Sequence, residues 1–214
     1  LYEMERTYVD HLKKVGIPYF HLSKPPTDSR SPESYVAVDD YAGGYRAGEH
    51  LAKLGCKRVL HLAGPKDARD AIERRKGFIQ ACRDNGIAED DIVIFQGDFH
   101  EPSGERCAEY LLQQKELPHG IFAANDMMAI GCMRVLQRRG ARVPEDVRIV
   151  GFDDIVLASY VEPSLTTIRV PYTDLARIAT EELVRLIENP MRKTVKVKLE
   201  AELVVRRSCG ANLK

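Results

Sequence analysis

Short apolar runs alternate with longer stretches of helical periodicity through most of the 214 residues. A chain written this way must bury both faces of its strands, which confines it to an α/β fold built on parallel sheet. Helices are expected over 3–15, 40–54, 69–85, 103–114, 127–139 and 174–188, with strands over 17–22, 35–38, 58–63, 92–96, 120–124, 147–152, 165–169 and 195–205. Ser103 and Thr173 are the expected N-caps of their helices, and Gly16, Gly55, Gly86 and Gly140 the stops of theirs. The segment 24–32, with Pro25-Pro26 and Ser31-Pro32, reads as a loop.

Two of the apolar runs end in polar side chains: Gly120-Ile121-Phe122-Ala123-Ala124 runs into Asn125-Asp126, and Val150-Gly151-Phe152 into Asp153-Asp154. In an open parallel sheet such residues stand at the carboxyl ends of strands, the rim where α/β proteins hold ligands. Asn and Asp at two successive strand ends suit a hydroxyl-rich or amine-bearing small molecule. The same residues are good helix caps, and taken singly each leaves the two roles open.

After Pro163 the pattern changes. A lone β-type segment precedes a helix, and 195–205 alternates apolar and polar residues as one strand with a polar face. Together with the early strand this suggests two lobes, 1–38 with 164–190 and 39–163 with 191–214. The chain would cross between them near 38–41, 159–165 and 188–196, and the cleft would be the default ligand site.

Lys plus Arg equals Asp plus Glu at 32 each, so this stretch has no net field to attract a nucleic-acid backbone. Five widely spaced cysteines argue for reduced thiols and a cytoplasmic setting over a disulfide framework. The six histidines form no ligand-spaced pair and there is no Cys-x-x-Cys, so neither a metal nor another cofactor is expected. No apolar stretch approaches the roughly eighteen residues needed to cross a membrane. Nucleophile elbows, phosphate-cradling glycine loops and triad spacings are not visible, which argues against an enzyme.

The motifs in order are Val38-Asp39-Asp40 with Glu49-His50-Leu51, Leu62-Ala63-Gly64-Pro65, Arg74-Arg75-Lys76-Gly77-Phe78, Gln96-Gly97-Asp98-Phe99 and Phe122 to Gly131. Gly151-Phe152-Asp153-Asp154, Pro163 to Arg169 and Arg206-Arg207-Ser208 complete the series. The chain so written resembles the effector-binding core of the lac-repressor and gal-repressor family of bacterial transcription regulators. The resemblance implies a periplasmic-binding-protein-like fold of two lobes, here with an incomplete N-terminal lobe. It implies a small-molecule effector, a sugar or related metabolite, and a homodimer. Operator DNA would be met only through an N-terminal domain outside this sequence.

Carried over residue by residue, the resemblance puts Arg74, Phe99, Asn125 and Asp153 on the ligand, with Ser23, Asp70 and Val170 at positions that vary with specificity. Arg74 would clamp hydroxyls or a carboxylate with its rigid fork of donors, and Phe99 would stack on a ring face. Ile130, Met133 and Arg134 are the candidates for a dimer interface. Ser23 stands where many relatives place Asp, which removes a charged acceptor from the expected hexose pattern, and Cys56 replaces a common His. A periplasmic sugar-binding protein of the same fold is the alternative reading.

Overall fold

The computed structural model describes residues 2–23 and 33–211, so the expected loop at 24–32 lies outside the described residues. In chain order the elements begin with α1 (Tyr2–Val15), β1 (His21–Ser23), β2 (Tyr35–Val38), α2 (Asp40–Lys53), β3 (Val59–Ala63), α3 (Arg69–Asp84), β4 (Ile92–Gln96) and α4 (Glu101–Leu112). They continue with β5 (Gly120–Ala123), α5 (Asp126–Arg138), β6 (Arg148–Asp153), α6 (Val156–Tyr160), β7 (Thr166–Arg169), α7 (Tyr172–Glu188), β8 (Lys196–Leu199) and β9 (Glu202–Val204). This is the expected α/β alternation.

The chain divides into two units, Leu1–Val38 with Pro171–Leu199 and Asp39–Val170 with Glu200–Lys214. The smaller unit carries a parallel three-stranded sheet in the order β1-β2-β8, with α7 packed on β1 and β2. The larger unit carries a six-stranded sheet in the order β4-β3-β5-β6-β7-β9, parallel except for β9 against β7.

The expected boundaries at 164 and 191 therefore fall at 171 and 200. β7 pairs with β6 and belongs to the larger sheet. The run 195–205 is two strands, not one: β8 completes the small sheet, and after Glu200 and the buried Ala201 the chain starts β9 in the large one. Period-two alternation marks a half-buried strand, but it does not say which sheet receives it. β1 is also shorter than the expected 17–22.

Two helix starts differ as well. α4 begins at Glu101, and the fully buried Ser103 sits inside its first turn, where Oγ donates to the His100 carbonyl (2.9 Å) and accepts from Asp98 N (3.3 Å). The hydroxyl thus closes the preceding turn and does not cap the helix. Thr173 likewise lies within α7, which starts at Tyr172 directly after Pro171.

In the larger unit the strand order reverses between β3 and β5, since the chain builds outward to β4 and then returns to place β5 on the other side of β3. The carboxyl ends there carry Gly64, Gly97 to Phe99 and Ala124 to Asp126, with Asp153-Asp154 on the next strand. This is the switch-point rim at which such sheets bind ligands.

Strand alternation sends Leu60, Leu62, Ile121, Ala123 and Ile149 into a core with Cys107, Leu111, Met128, Cys132 and Leu136 of α4 and α5. The intervening His61, Phe122 and Phe152 face the other way, where Phe78 of α3 stacks on His61 and Phe122. There α2 and α3 cross with their backbones nearly touching. A Cβ on Gly44 would overlap the Arg74 carbonyl, and one on Gly77 the Tyr41 carbonyl.

Because those clashes are with backbone, Gly77→Ala is expected to cost about 2 kcal/mol or more, in the range for overpacked sites. In thermal denaturation this is a fall in Tm of several degrees; a melting curve that coincides with wild type would show that the helices can separate without loss.

Candidate functional site

Arg74 projects from the middle of α3 toward the rim, and its side chain is only 9% exposed. Nε donates to Oδ1 of Asp40 (2.8 Å), Nη1 donates to the carbonyl of Ala124 (2.7 Å), and Nη1 stands 3.6 Å from Oδ1 of Asp153. The guanidinium carbon stands over the Phe152 ring, 3.7 Å from its centroid, with the Phe99 ring further out at 5.9 Å. An arginine stays charged at any accessible pH, so its burial has to be compensated by fixed partners. Asp40 supplies the main one, and burial raises its carboxyl pKa while the Arg74 charge pulls it back.

Phe99, Asp153 and Asp154 have left-handed backbone, with φ of 70°, 113° and 56°. Each such non-glycine residue costs about 1–3 kcal/mol and persists only where its surroundings hold it there. They are held. Asn125 caps α5 by accepting from Met128 N through Oδ1 (3.0 Å), and its Nδ2 donates to the Phe99 carbonyl (2.8 Å). Asp126, fully buried, accepts from Ile155 N (2.9 Å) and from the Thr167 hydroxyl (2.6 Å). The Asp154 carboxylate accepts from Arg169 and Arg206 at 2.6 Å each, and Arg206 also reaches the Leu165 carbonyl (2.8 Å).

A donor fork, a carboxylate and an aromatic ring thus converge at the carboxyl ends of a parallel sheet. The periplasmic binding protein-like domain matches residues 49–209. A LacI family transcriptional regulator from Enterococcus faecium with bound ribose is 30% identical and superposes with a TM-score of 0.86, over 94% of this chain and 73% of that one. The chain belongs to the LacI family.

The HTH-type transcriptional regulator CelR of Thermobifida fusca is 34% identical over 197 residues, 92% of this chain and 58% of its own. A complex of the regulator CelR with cellobiose superposes with a TM-score of 0.85 at 34% identity, over 92% of this chain and 60% of that one. The chain spans roughly 60% of the length of these two relatives. Both are transcription regulators, which goes against the enzyme and transport-protein readings.

Within this family core, Arg74, Phe99, Asn125 and Asp153 come together at one rim, Arg74 far more buried than a surface-helix arginine would be. Asp70 sits half-buried in the first turn of α3, with its carboxylate on the amide of Ala71 (3.0 Å), and Val170 is buried beside the Asp153 carbonyl, to which its N–H donates at 3.4 Å. Ser23 closes β1, and its side chain lies outside the described residues. Ile130 and Met133 are not surface residues: at 8% and 2% exposure they fill the core between α5 and the sheet. Arg134 is exposed and pairs with Glu101 (3.0 Å) and Glu105.

Asp40, Asp126, Phe152 and Arg206 stand in the motifs of the sequence but not among its candidate ligand residues. Asp40 follows Asp39, which takes the capping role by accepting from Ala42 N (3.1 Å). A doubled Asp before a helix was the available sign that one carboxylate had another task.

Two buried groups oppose each other in acid. Burial pushes the Asp126 carboxyl up to about 7, while it pushes His61, whose Nδ1 donates to the Phe122 carbonyl (3.0 Å), down to about 4. Between pH 4 and the ordinary histidine value of 6.5 the unfolded chain protonates His61 and the folded one does not, so that group removes stability as pH falls. Over pH 4 to 7 the folded protein holds a proton on Asp126 that the unfolded one lacks, so that group removes stability as pH rises.

Relative to wild type, Asp126→Asn should therefore gain stability as pH goes from 4 to 7, and His61→Phe as pH goes from 6.5 to 4. Each trend is at most about 1.4 kcal/mol per pH unit. Urea titrations at pH 4.5, 5.5 and 6.5 measure both, and parallel curves for the three proteins would refute the assignment.

Proposed function

We propose that this chain is the effector-binding and dimerisation core of a transcription regulator, and that its effector is a neutral, hydroxyl-rich small molecule. The observation that carries the ligand class is the charge balance around Arg74. Asp40 at 2.8 Å and Asp153 at 3.6 Å both face the one guanidinium. The group offers N–H donors next to carboxylate acceptors with no net positive charge, a set that matches vicinal hydroxyls and repels phosphate or carboxylate. The ribose and cellobiose in the two similar structures fit that description, and the half-buried Phe99 ring adds an apolar surface for a sugar ring.

The regulatory step is one of linkage. The effector shifts operator affinity by the difference between its affinities for the DNA-bound and released conformations, and by no more than that. DNA itself would be contacted by a part of the protein beyond these residues, since this stretch carries no net charge. The five cysteines are free and buried, as suits a reducing cytoplasm.

In the full-length protein, Asp153→Asn keeps the side-chain volume but removes one charged acceptor. It should weaken sugar binding by at least about tenfold while the unliganded Tm moves little. Arg74→Ala should abolish the effector response and also lower Tm, because it strands the buried Asp40 at a cost of about 3–5 kcal/mol. Thermal-shift and calorimetric titration with ribose, cellobiose and their phosphate esters reads all of this. Equal affinity for the esters, or an unchanged titration in Arg74→Ala, would defeat the reading.

The dimer surface is better placed on α6 than on α5. Val156, Leu157 and Tyr160 expose 78%, 45% and 79% of their surface on this short helix, a cluster that a second copy would remove from water. Val156→Glu with Tyr160→Glu should shift sedimentation toward monomer without unfolding, whereas Met133→Glu should unfold the protein. A dimer unchanged by the α6 pair would exclude this face.

A further inference from the structure

The non-glycine residues with left-handed backbone among the described residues, Phe99, Asp153 and Asp154, all lie on the rim, on two different loops. Two consecutive side chains at the end of β5 reach both loops. We propose that Asn125 and Asp126 act as a positioning pair, Asn125 fixing the Phe99 ring and Asp126 fixing the Asp153 carboxylate for the effector. This rests on the effector reading given above.

The geometry gives each residue one job at its own helix or strand and one at the rim. Asn125 spends Oδ1 on Met128 N of α5, which sets the plane of its amide and aims Nδ2 at the Phe99 carbonyl. Asp98 Oδ1 accepts from His100 N across the same turn (2.9 Å), so the Asn125 donor is the contact that fixes the Phe99 carbonyl itself, and without it relaxation toward an extended backbone would swing the ring away. Asp126 points in the opposite direction. Its Oδ1 passes so close to Gly151 that a Cβ there would overlap it, and it ends on Thr167 of β7.

Oδ2 of Asp126 takes the N–H of Ile155, the first residue after the two left-handed aspartates. Arg169 and Arg206 hold Asp154 from the other side, and the Asp153 carbonyl accepts from Val170 N. The turn is thereby fixed on both sides of Asp153, whose carboxylate is left 3.6 Å from Arg74.

The test uses full-length protein carrying Asn125→Asp, Asp126→Ala or Asp126→Asn. Asn125→Asp keeps the cap on Met128 N and replaces only the donor to Phe99 with a second oxygen. Asp126→Asn keeps an acceptor for Ile155 N and a hydrogen-bond partner for Thr167, while Asp126→Ala keeps neither. Crystal structures without added sugar should show Phe99 at negative φ in Asn125→Asp with α5 starting unchanged, and the Asp153 carboxylate displaced from Arg74 in Asp126→Ala but not in Asp126→Asn.

Calorimetric titration with ribose and cellobiose should show about a tenfold or greater loss for Asn125→Asp and Asp126→Ala, and recovery to within about threefold for Asp126→Asn, the separation a lost hydrogen bond produces. If Asp126→Ala does not fold, Thr167→Val takes its place. Turns that keep their wild-type conformation in Asn125→Asp and Asp126→Ala overturn the proposal. A wild-type protein that binds neither sugar defeats the neutral-ligand reading instead, and the crystal structures still decide the positioning role.

Discussion

An arginine cannot give up its proton, so burying one commits the surrounding chain to supplying its partners. Arg74 draws four of them from three segments: the carboxylate of Asp40 at the start of α2, the carbonyl of Ala124 at the end of β5, and the ring of Phe152 and the carboxylate of Asp153 at the end of β6. Asp40 reaches the guanidinium because α2 lies almost in backbone contact with α3, and that contact is open only to glycine at positions 44 and 77. The close crossing of the two helices and the polar character of the rim are therefore one arrangement. A bulkier crossing would leave the charge without its main partner.

The same economy governs the turns. Helix capping and ligand recognition look like competing explanations for Asn125, yet the amide has two ends. Its oxygen completes α5 while its nitrogen reaches the Phe99 turn. Asp126 would serve α5 as an acidic first-turn residue if it faced solvent. Drawn fully into the interior it ties the end of β5 to β7 and to the start of α6, and its carboxyl is pushed up toward neutrality by the loss of water.

The alternation of strands and helices was legible because parallel sheets need apolar residues on both faces, and the helix pattern around Arg69–Asp84 or Asp126–Arg138 is written in each segment by itself. What was not legible depends on where a segment goes afterwards. The run 195–205 alternates in the same way whether it serves one sheet or two, and only pairing with β2 and then β7 separates β8 from β9. Ile130 and Met133 look like any apolar residues on a helix, and it is the position of the sheet beneath α5 that turns them inward. Arg74 was found from its motif, but its burial could not be read from three basic residues in a row; that follows from Asp40, thirty-four residues away.

The charge state of the rim also explains why a site with an arginine and a helix start need not attract anions. Helix N-termini and guanidinium groups are the usual phosphate holders of α/β proteins. Here the start of α5 is already capped by Asn125, so the amide of Met128 is occupied, and Asp126 places a further carboxyl beside it. The guanidinium is matched by Asp40 and faced by Asp153. With both electropositive features satisfied from within, the effector proposed for this site gains from directional hydrogen bonding and the Phe99 ring by presenting hydroxyls at fixed spacing on an apolar ring, not by bringing charge.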